Sequence, residues 1–331
     1  MTKICACLMI AALLFCCLFA ACTPKNDVNE ALKDTLKIEI LKIGKADCSI
    51  ITDGTTSIVV DCGEEDDGAD ISAAMDALGI SSIDYLIITH YDKDHIGGAP
   101  TLLKKYKVSK LLEPDYTPVD TTAYAYMSYK NALTEAKANG KCGSTEAVSD
   151  SVSLTVSDIK LNIVGTFGKD YAKNQDNNDS LVVSLEHLGN SFLFAGDIEK
   201  QRIADMLSQG RVQPCDFLKV PHHGVYNSKL EDYFSKVNMK YAVITCSDKN
   251  PAEQKTLDLL TAKGCRTFLT SNGTVHIRST KSGIDISPME RQQIPQVMSR
   301  FSAALFRTCK QVPCFAEGTF DKDKLYNDEL G

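Results

Sequence analysis

The sequence predicts an α/β fold, a layered sandwich with its helices on the outside. Two observations predict it. Short apolar segments of β-forming residues recur along the chain with segments of helical periodicity between them. Strands also lead early in each half, the pattern of sheets covered by helices. A chain of 331 residues, 44% hydrophobic and 24% charged, is long enough for one large domain or two small ones and too apolar for a disordered one. Only 20 Gly and 10 Pro exclude collagen-like or linker-dominated sequence. With 36 basic against 43 acidic residues, net −7, there is no globally basic coat, so a polyanionic substrate must be met by a local site.

At the N-terminus, Lys3 precedes an apolar run over residues 4–21. Its length fits the core of a signal peptide and just reaches that of a membrane span. Leu18-Phe19-Ala20-Ala21-Cys22 resembles a bacterial lipoprotein signal, in which the Cys after two small residues is lipidated; Phe19 stands where an aliphatic residue is usual. Residues 1–22 are therefore read as a lipoprotein-type signal peptide and 23–35 as a polar tether. Cleavage with secretion and an uncleaved anchor are the alternatives. All three place the folded part outside the cytoplasmic membrane, on its outer face or secreted.

A folded domain is expected over residues 36–285. Leu36, Ile38 and Ile40 alternate with charged residues, the sign of a half-buried strand. Residues 48–52 and 57–60 read as a hairpin turning at Asp53-Gly54. Residues 70–78 read as a helix ended by Gly79, 83–89 as a buried strand, 100–107 as a helix and 110–112 as a strand. Residues 114–140 differ in composition. They hold Tyr116, Tyr124, Tyr126 and Tyr129 and a helix over 123–138, and are read as an inserted arm bordering the site or, equally, as a surface helix with a structural face. Strands follow at 153–156, 160–164, 180–185 and 191–195. Then come a helix at 200–208, a strand at 217–220, a helix at 228–237, a strand at 241–245, a helix at 252–263, and strands at 266–270 and 274–278. From Pro288 the strand pattern stops; 289–308 could be helical, and 286–331 is a C-terminal extension of unknown role.

Thirteen Cys is a high count, but five lie in the first 22 residues and no remaining pair has the CxxC spacing, which argues against a zinc ribbon. Cys62 and Cys246 sit in apolar runs, where Cys acts as a small hydrophobe. Cys309 and Cys314 could pair in an oxidising exterior.

The chemistry concentrates in three strand-end segments. Thr89-His90-Tyr91-Asp92-Lys93-Asp94-His95-Ile96-Gly97-Gly98 follows a buried strand and offers His, Asp, Asp and His within one loop. At a strand end His90 and Asp92 share a side, because side chains alternate. Asp94 and His95 come where the chain turns into the next element, and the glycines allow close backbone approach. The arrangement can present two ligand pairs to two neighbouring cations; imidazole suits Zn²⁺, Fe and Mn²⁺, and carboxylates add harder oxygen. Asp197, delivered after Gly196 from an apolar strand, can bridge two metals. Leu218-Lys219-Val220-Pro221-His222-His223-Gly224 is again a strand end. Four of the six His thus fall in two loops, and His187 and His276 are read as ordinary polar residues.

These segments resemble the signature of the metallo-β-lactamase superfamily: His-x-His-x-Asp-His followed by Gly-Gly, then a later Gly-Asp and a later His. Within it the likeness is to the ComEC-like branch, the hydrolase domain of competence DNA-uptake proteins and its stand-alone relatives. Supporting stretches are Leu41-Lys42-Ile43-Gly44-Lys45-Ala46-Asp47-Cys48, Val60-Asp61-Cys62-Gly63, Asn177-Asn178-Asp179-Ser180-Leu181-Val182-Val183 and Phe194-Ala195-Gly196-Asp197-Ile198-Glu199. The likeness runs over residues 36–278. It implies a four-layer αββα metallo-β-lactamase sandwich and two divalent metal ions, Zn²⁺ or, at an oxygen-rich site, Mn²⁺. His90 and Asp92 would bind one metal. Asp94, His95 and one of the His222-His223 pair would bind the other, with Asp197 bridging. His222 is favoured as the ligand and His223 as the substrate-contacting or proton-handling group. Two departures stand out. Asp92 occupies the place of the usual second His, and residues 141–195 hold no evident third His for the first metal, so Asn177, Asn178 or Ser180 is the substitute.

Such a site activates a bridging hydroxide between two cations and clamps a scissile phosphate or carbonyl. Asp94 can bind metal and hold the hydroxide proton; His223 can protonate a leaving oxygen. Lys219 and the cluster of Lys104, Lys105 and Lys107 are weak candidates for phosphate attraction and are more simply read as solvated charges. The resemblance implies an extracytoplasmic phosphodiesterase or nuclease-like hydrolase acting on DNA or an envelope polymer. The alternatives are hydrolysis of another ester, lactone or β-lactam, or a non-catalytic metal-binding lipoprotein. No protein partner is expected.

Overall fold

Alternating burial is visible from the first strand. In the computed structural model, which describes residues 34–171 and 175–288, β1 (Leu36–Ile40) buries Leu36, Ile38 and Ile40 completely and leaves Lys37 and Glu39 half-buried. Strands β2 (Ser49–Thr52) and β3 (Ser57–Val60) form the expected antiparallel hairpin. Its turn is held by Asp53 Oδ1, which accepts from the backbone N–H groups of Thr55 (2.8 Å) and Thr56 (2.6 Å).

Beyond β3 the sheet turns parallel. Helix α1 (Gly68–Ala77) leads to β4 (Ser82–Ile87); α2 (Lys93–Ile96) and α3 (Ala99–Lys105) lead to β5 (Lys107–Pro114); α4 (Tyr124–Ala138) leads to β6 (Cys142–Val148). A parallel pair needs a crossover, so α4 is the crossover between β5 and β6. It buries Tyr129, Leu133 and Ala136 in the outer layer, and Pro118, Ala123 and Tyr124 of the same segment line the cleft at Asp92 and Asp94.

The second sheet begins with an antiparallel meander of β7 (Ser151–Val156), β8 (Ile159–Val164), β9 (Val182–His187) and β10 (Asn190–Phe194), with the single turn α5 (Gln175–Asn178) before β9. It continues in parallel through β11 (Phe217–Lys219), β12 (Tyr241–Ile244) and β13 (Arg266–Leu269), connected by α6 (Lys200–Ser208), α7 (Leu230–Val237) and α8 (Gln254–Ala262). The chain then returns to the first sheet as β14 (Val275–Thr280), beside β1, and β15 (Gly283–Pro288). The orders are β15-β14-β1-β2-β3-β4-β5-β6 and β13-β12-β11-β10-β9-β8-β7.

Three apolar clusters define four layers, αββα. One lies between the first sheet and α1, α3 and α4, and includes Ile71, Leu102 and Tyr129. One lies between the sheets, around Ile38, Phe192, Phe194 and Phe217. The third lies beneath α6, α7 and α8, around Ile203, Phe234 and Leu260. Each fully buried large side chain contributes about 1.5–3 kcal/mol, so the sheet-to-sheet core supplies much of the drive to close the sandwich.

Two strands escape the sequence reading, and both are edges. β6 (Cys-Gly-Ser-Thr-Glu-Ala-Val) buries only its first and last residues. β15 lies at the other end of the same sheet and extends past residue 285, where the domain was expected to end. Edge strands bury too little to carry an apolar signature. The signal, the C-terminal extension beyond 288, and Cys309 and Cys314 lie outside the described residues. Among the described residues no helix is long and apolar enough to cross a membrane, and Cys48, Cys62, Cys142, Cys215, Cys246 and Cys265 are buried free thiols.

One close approach fixes the loop between β4 and α3. The Gly98 N–H donates to the carbonyls of Cys62 (3.2 Å) and Gly63 (3.3 Å). A Cβ there would collide with the Cys62 carbonyl and sit 3.2 Å from Gly68 Cα. Gly98→Ala is expected to destabilise the fold by about 1–3 kcal/mol, the cost of overpacking a tight site, read as a lower urea midpoint.

Candidate metal centre

The segment after β4 leaves strand geometry at Ile87, and Asp92 (φ −67°, ψ 148°) opens α2. Asp94 and His95 therefore sit on the first turn of a helix, close under Thr89 and His90. Both imidazoles are fully buried, with ring centroids 4.0 Å apart. The His95 ring is aimed from behind: its Nδ1 lies 2.8 Å from Asp61 Oδ2. Asp61 in turn accepts from the Thr89 backbone N–H and the Thr89 hydroxyl, each at 2.8 Å. Asp61 stands just past β3 with a left-handed φ of +61°, which lets its carboxylate reach across to the neighbouring loop. His90 Nδ1 meets Thr89 Oγ1 at 3.1 Å.

Asp197 comes from the end of β10. Gly196 has φ +54°, and a Cβ on it would lie 2.8 Å from Ser180 Cβ, so glycine is required both by conformation and by space. The Asp197 N–H donates to Ser180 Oγ (3.0 Å). Its Oδ2 lies 3.4 Å from His95 Nε2 and 3.0 Å from His223 Nε2.

The two adjacent histidines after β11 divide otherwise than expected. His222 (φ 47°) and His223 (φ 52°) are both left-handed, which turns their rings to different sides. His223 Nε2 lies 3.4 Å from Asp94 Oδ2 in addition to its approach to Asp197. His222 is directed to Glu199, with Nδ1 3.0 Å from Oε1. The structure thus brings His223, rather than His222, into the cluster. Asp92 lies at the rim, 45% exposed, with Oδ2 3.7 Å from His90 Nε2. The Asn and Ser side chains offered as substitutes are engaged elsewhere: Asn177 donates to Glu199 Oε1 (3.0 Å), Asn178 Oδ1 accepts the N–H groups of Glu199 and Arg202, and Ser180 holds Asp197. His187 is bonded to Ser279 Oγ (2.9 Å), and His276 is paired with Glu39. Lys105 pairs with Asp76 at the surface (2.7 Å).

The cluster fits divalent cations. Among the described residues, the buried side-chain atoms without a hydrogen-bond partner include His90 Nε2, His95 Nε2, His223 Nε2 and Asp197 Oδ1. Leaving such atoms unpaired costs stability, and all four belong to one cluster. Two sets of ligand atoms, each within 4.8 Å of one another, are His90–His95–Asp197 and Asp94–His95–His223. Mixed imidazole and carboxylate donors suit Zn²⁺ and Mn²⁺.

Charge holds the cluster in a metal-free form as well. Burial opposes ionisation of Asp197, but the neighbouring His223, His95 and Lys219 outweigh it and hold the carboxyl well below its usual range. Asp94 is likewise lowered: burial resists, and His223 and His95 prevail. Burial pushes His95 and His223 toward neutrality, yet Asp197 with Asp61, and Asp197 with Asp47, raise them.

The sequence reading assigned no role to Asp47 or Asp61 and took Lys219 as solvated. Lys219 is 3% exposed and paired with Asp47, which receives the Thr245 hydroxyl; that hydroxyl is also 3.0 Å from His223 Nδ1. The signals were present: a carboxylate closing an apolar strand before Cys62-Gly63, and a lysine inside an apolar one.

With this geometry in place, the comparisons define the class. The metallo-beta-lactamase superfamily profile matches residues 42–247, and the chain belongs to that superfamily. ComE operon protein 3 of Bacillus subtilis (strain 168) is 32% identical over 209 residues, 61% of this chain and 25% of that protein. Recombination protein 2 of Haemophilus influenzae is 25% identical over 224 residues, 66% of this chain and 25% of that protein. These ComEC-like relatives bear out the branch expected from the motifs, and the chain spans a quarter of the length of either. Among solved structures, the metallo-beta-lactamase fold protein YhfI from Bacillus subtilis matches with TM-score 0.47 at 13% identity, over 77% of this chain and all of that one.

Two outcomes follow. Asp61→Asn should keep the fold and weaken metal binding about 10–100-fold, the usual loss when a carboxylate behind a ligating histidine is removed, as read by competition with a chromophoric chelator. Because, despite burial, Asp197 with Asp61, and Asp197 with Asp47, raise His95 and His223 above the ordinary imidazole range, an incoming cation competes with protons at both rings. Metal affinity should therefore rise with pH through neutrality, and titration calorimetry in buffers of different ionisation enthalpy should register proton release.

Proposed function

We propose that this protein is an extracytoplasmic, metal-dependent hydrolase of phosphodiesters. The observation that carries the reading is the set of unpartnered buried ring nitrogens of His90, His95 and His223, gathered near Asp197 and next to Asp94, which lines an open cleft. Asp94 and Asp92 line a cavity of about 710 Å³ bounded on its far side by Pro118, Ala123 and Tyr124. A second, of about 720 Å³, runs toward Ser247 and Lys249, and the two share Lys45, Glu64, Asp66, Lys93 and Asp94. Such a trough, passing in front of Asp94, can receive a chain on both sides of a scissile bond.

Two bound cations, Zn²⁺ or Mn²⁺, would polarise a phosphoryl oxygen and make water acidic enough to attack at neutral pH. The chain's own groups do the rest. Asp94 accepts a hydrogen bond from the attacking water and orients it. Lys45, 3.6 Å from Asp94 Oδ2 and partly exposed, meets a non-bridging phosphate oxygen. His222, held by Glu199 beside the cluster, is the group left to handle a leaving-group proton.

The cleft wall around Asp92 carries seven carboxylates, from Glu64, Glu65, Asp66, Asp92, Asp94, Asp120 and Asp176, against Lys45 and Lys93. Away from the cations a long polyanion meets repulsion, which favours an envelope phosphodiester with few flanking charges over tightly held DNA. The lipoprotein-like N-terminus supports an outer-face or secreted location with access to such polymers.

The purified, metal-loaded protein should turn over bis-(4-nitrophenyl) phosphate, with activity reduced by at least about 100-fold in Asp197→Ala. Single-stranded DNA and a chromogenic cephalosporin serve as comparison substrates. Cephalosporin turnover without phosphodiester turnover would overturn the reading, as would full metal occupancy with no turnover of any of the three.

A further inference from the structure

Lys219 is a buried lysine built into the centre, and neither the metal sets nor the proposed reaction uses it. It lies in β11, between apolar neighbours, and is 3% exposed. A buried ammonium is costly unless it is paired and hydrogen-bonded, and Lys219 is surrounded by oxygen. Its Nζ is paired with Asp47 Oδ2, lies 3.6 Å from Asp197 Oδ1, and donates to the Gly196 carbonyl at 3.4 Å. These are the donors that a hard cation would collect. Asp47, Asp197 and His223 also have ligand atoms within 4.8 Å of one another, so the place Lys219 guards has the makings of a cation site.

We propose that Lys219 is a positioning residue whose ammonium acts as a resident third cation of the centre, holding Asp47 and the rear oxygen of Asp197 and excluding a metal ion from that position. Asp197 then faces His95 and His223 with Oδ2 alone. Asp47, already neutralised, stays behind Thr245 and His223 rather than competing as a ligand. The inference concerns cation occupancy and stands whether or not the protein cleaves phosphodiesters.

Removing the charge leaves three buried acceptor groups around an unfilled place. In Lys219→Met, bound Mn²⁺ or Zn²⁺ should rise by about one ion per chain over the wild type, because binding free energy at such a place is also folding free energy. The thermal midpoint of Lys219→Met should keep climbing with MnCl₂ after the wild type has saturated. Lys219→Arg, which keeps a cation there, should retain wild-type stoichiometry, and so should Lys219→Met combined with Asp47→Asn, which removes the buried carboxylate left without its ammonium. Metal content by plasma emission spectrometry and thermal unfolding across an MnCl₂ series give both readouts. A Lys219→Met chain that folds only in added divalent cation supports the proposal. Wild-type stoichiometry in Lys219→Met, an extra ion in Lys219→Arg, or a Lys219→Met chain that no cation concentration folds would each overturn it.

Discussion

Everything in the site depends on keeping Asp197 ionised in a place without water. Its carboxylate is 2% exposed, and a charge in such a place survives only if opposite charge surrounds it. His95 from the segment after β4, Lys219 at the end of β11 and His223 just beyond it surround that carboxylate. The same arrangement explains why the histidine Nε2 atoms stay unpartnered. They are turned toward a carboxylate at ion-pair distance but not in hydrogen-bond geometry, a compromise that makes sense if a cation is the intended third party.

The ring of residues behind the ligands bears as much of the structure as the ligands do. Asp61 orients His95, Thr89 orients Asp61 and contacts His90, and Thr245 joins His223 to Asp47. Each link is a hydrogen bond that fixes which imidazole nitrogen faces forward, and that choice decides whether the ring can ligate at all. The rings of the cluster are thus aimed by the protein's own hydrogen bonds.

The sequence was most readable where burial is one-sided or complete. The alternation in β1, the apolar runs of β4 and β10 and the helical spacing of α1 carry periodic signals because one face of each must be dry. β6 and β15 carry none because edges bury little. The loop after β4 was legible because His90, Asp92, Asp94 and His95 lie within six residues. The partners behind it were not, because Asp47, Asp61 and Lys219 come together only through tertiary pairing of distant strands. The His222-His223 pair is placed otherwise than expected, His223 toward Asp197 and His222 toward Glu199, for a local reason. Two consecutive left-handed residues invert the facing that their order suggests, and positive φ at a non-glycine residue is not written in residue type.

The topology explains why these particular loops meet. Asp61 follows β3, His90 to His95 follow β4, Asp197 follows β10, His222-His223 follow β11 and Thr245 follows β12. β3 and β4 are parallel within the first sheet, and β10, β11 and β12 within the second. Parallel strands put all their C-terminal ends on one edge, where successive loops lie side by side. Two such sheets packed face to face bring two rows of loops together at a single seam. The antiparallel strands β7 to β9 and β14 to β15 widen the sheets and bury the core, but their ends alternate between edges and cannot stack ligands in this way. The edge that carries the cluster is therefore a consequence of where the crossovers α1, α6 and α7 force the chain to run parallel.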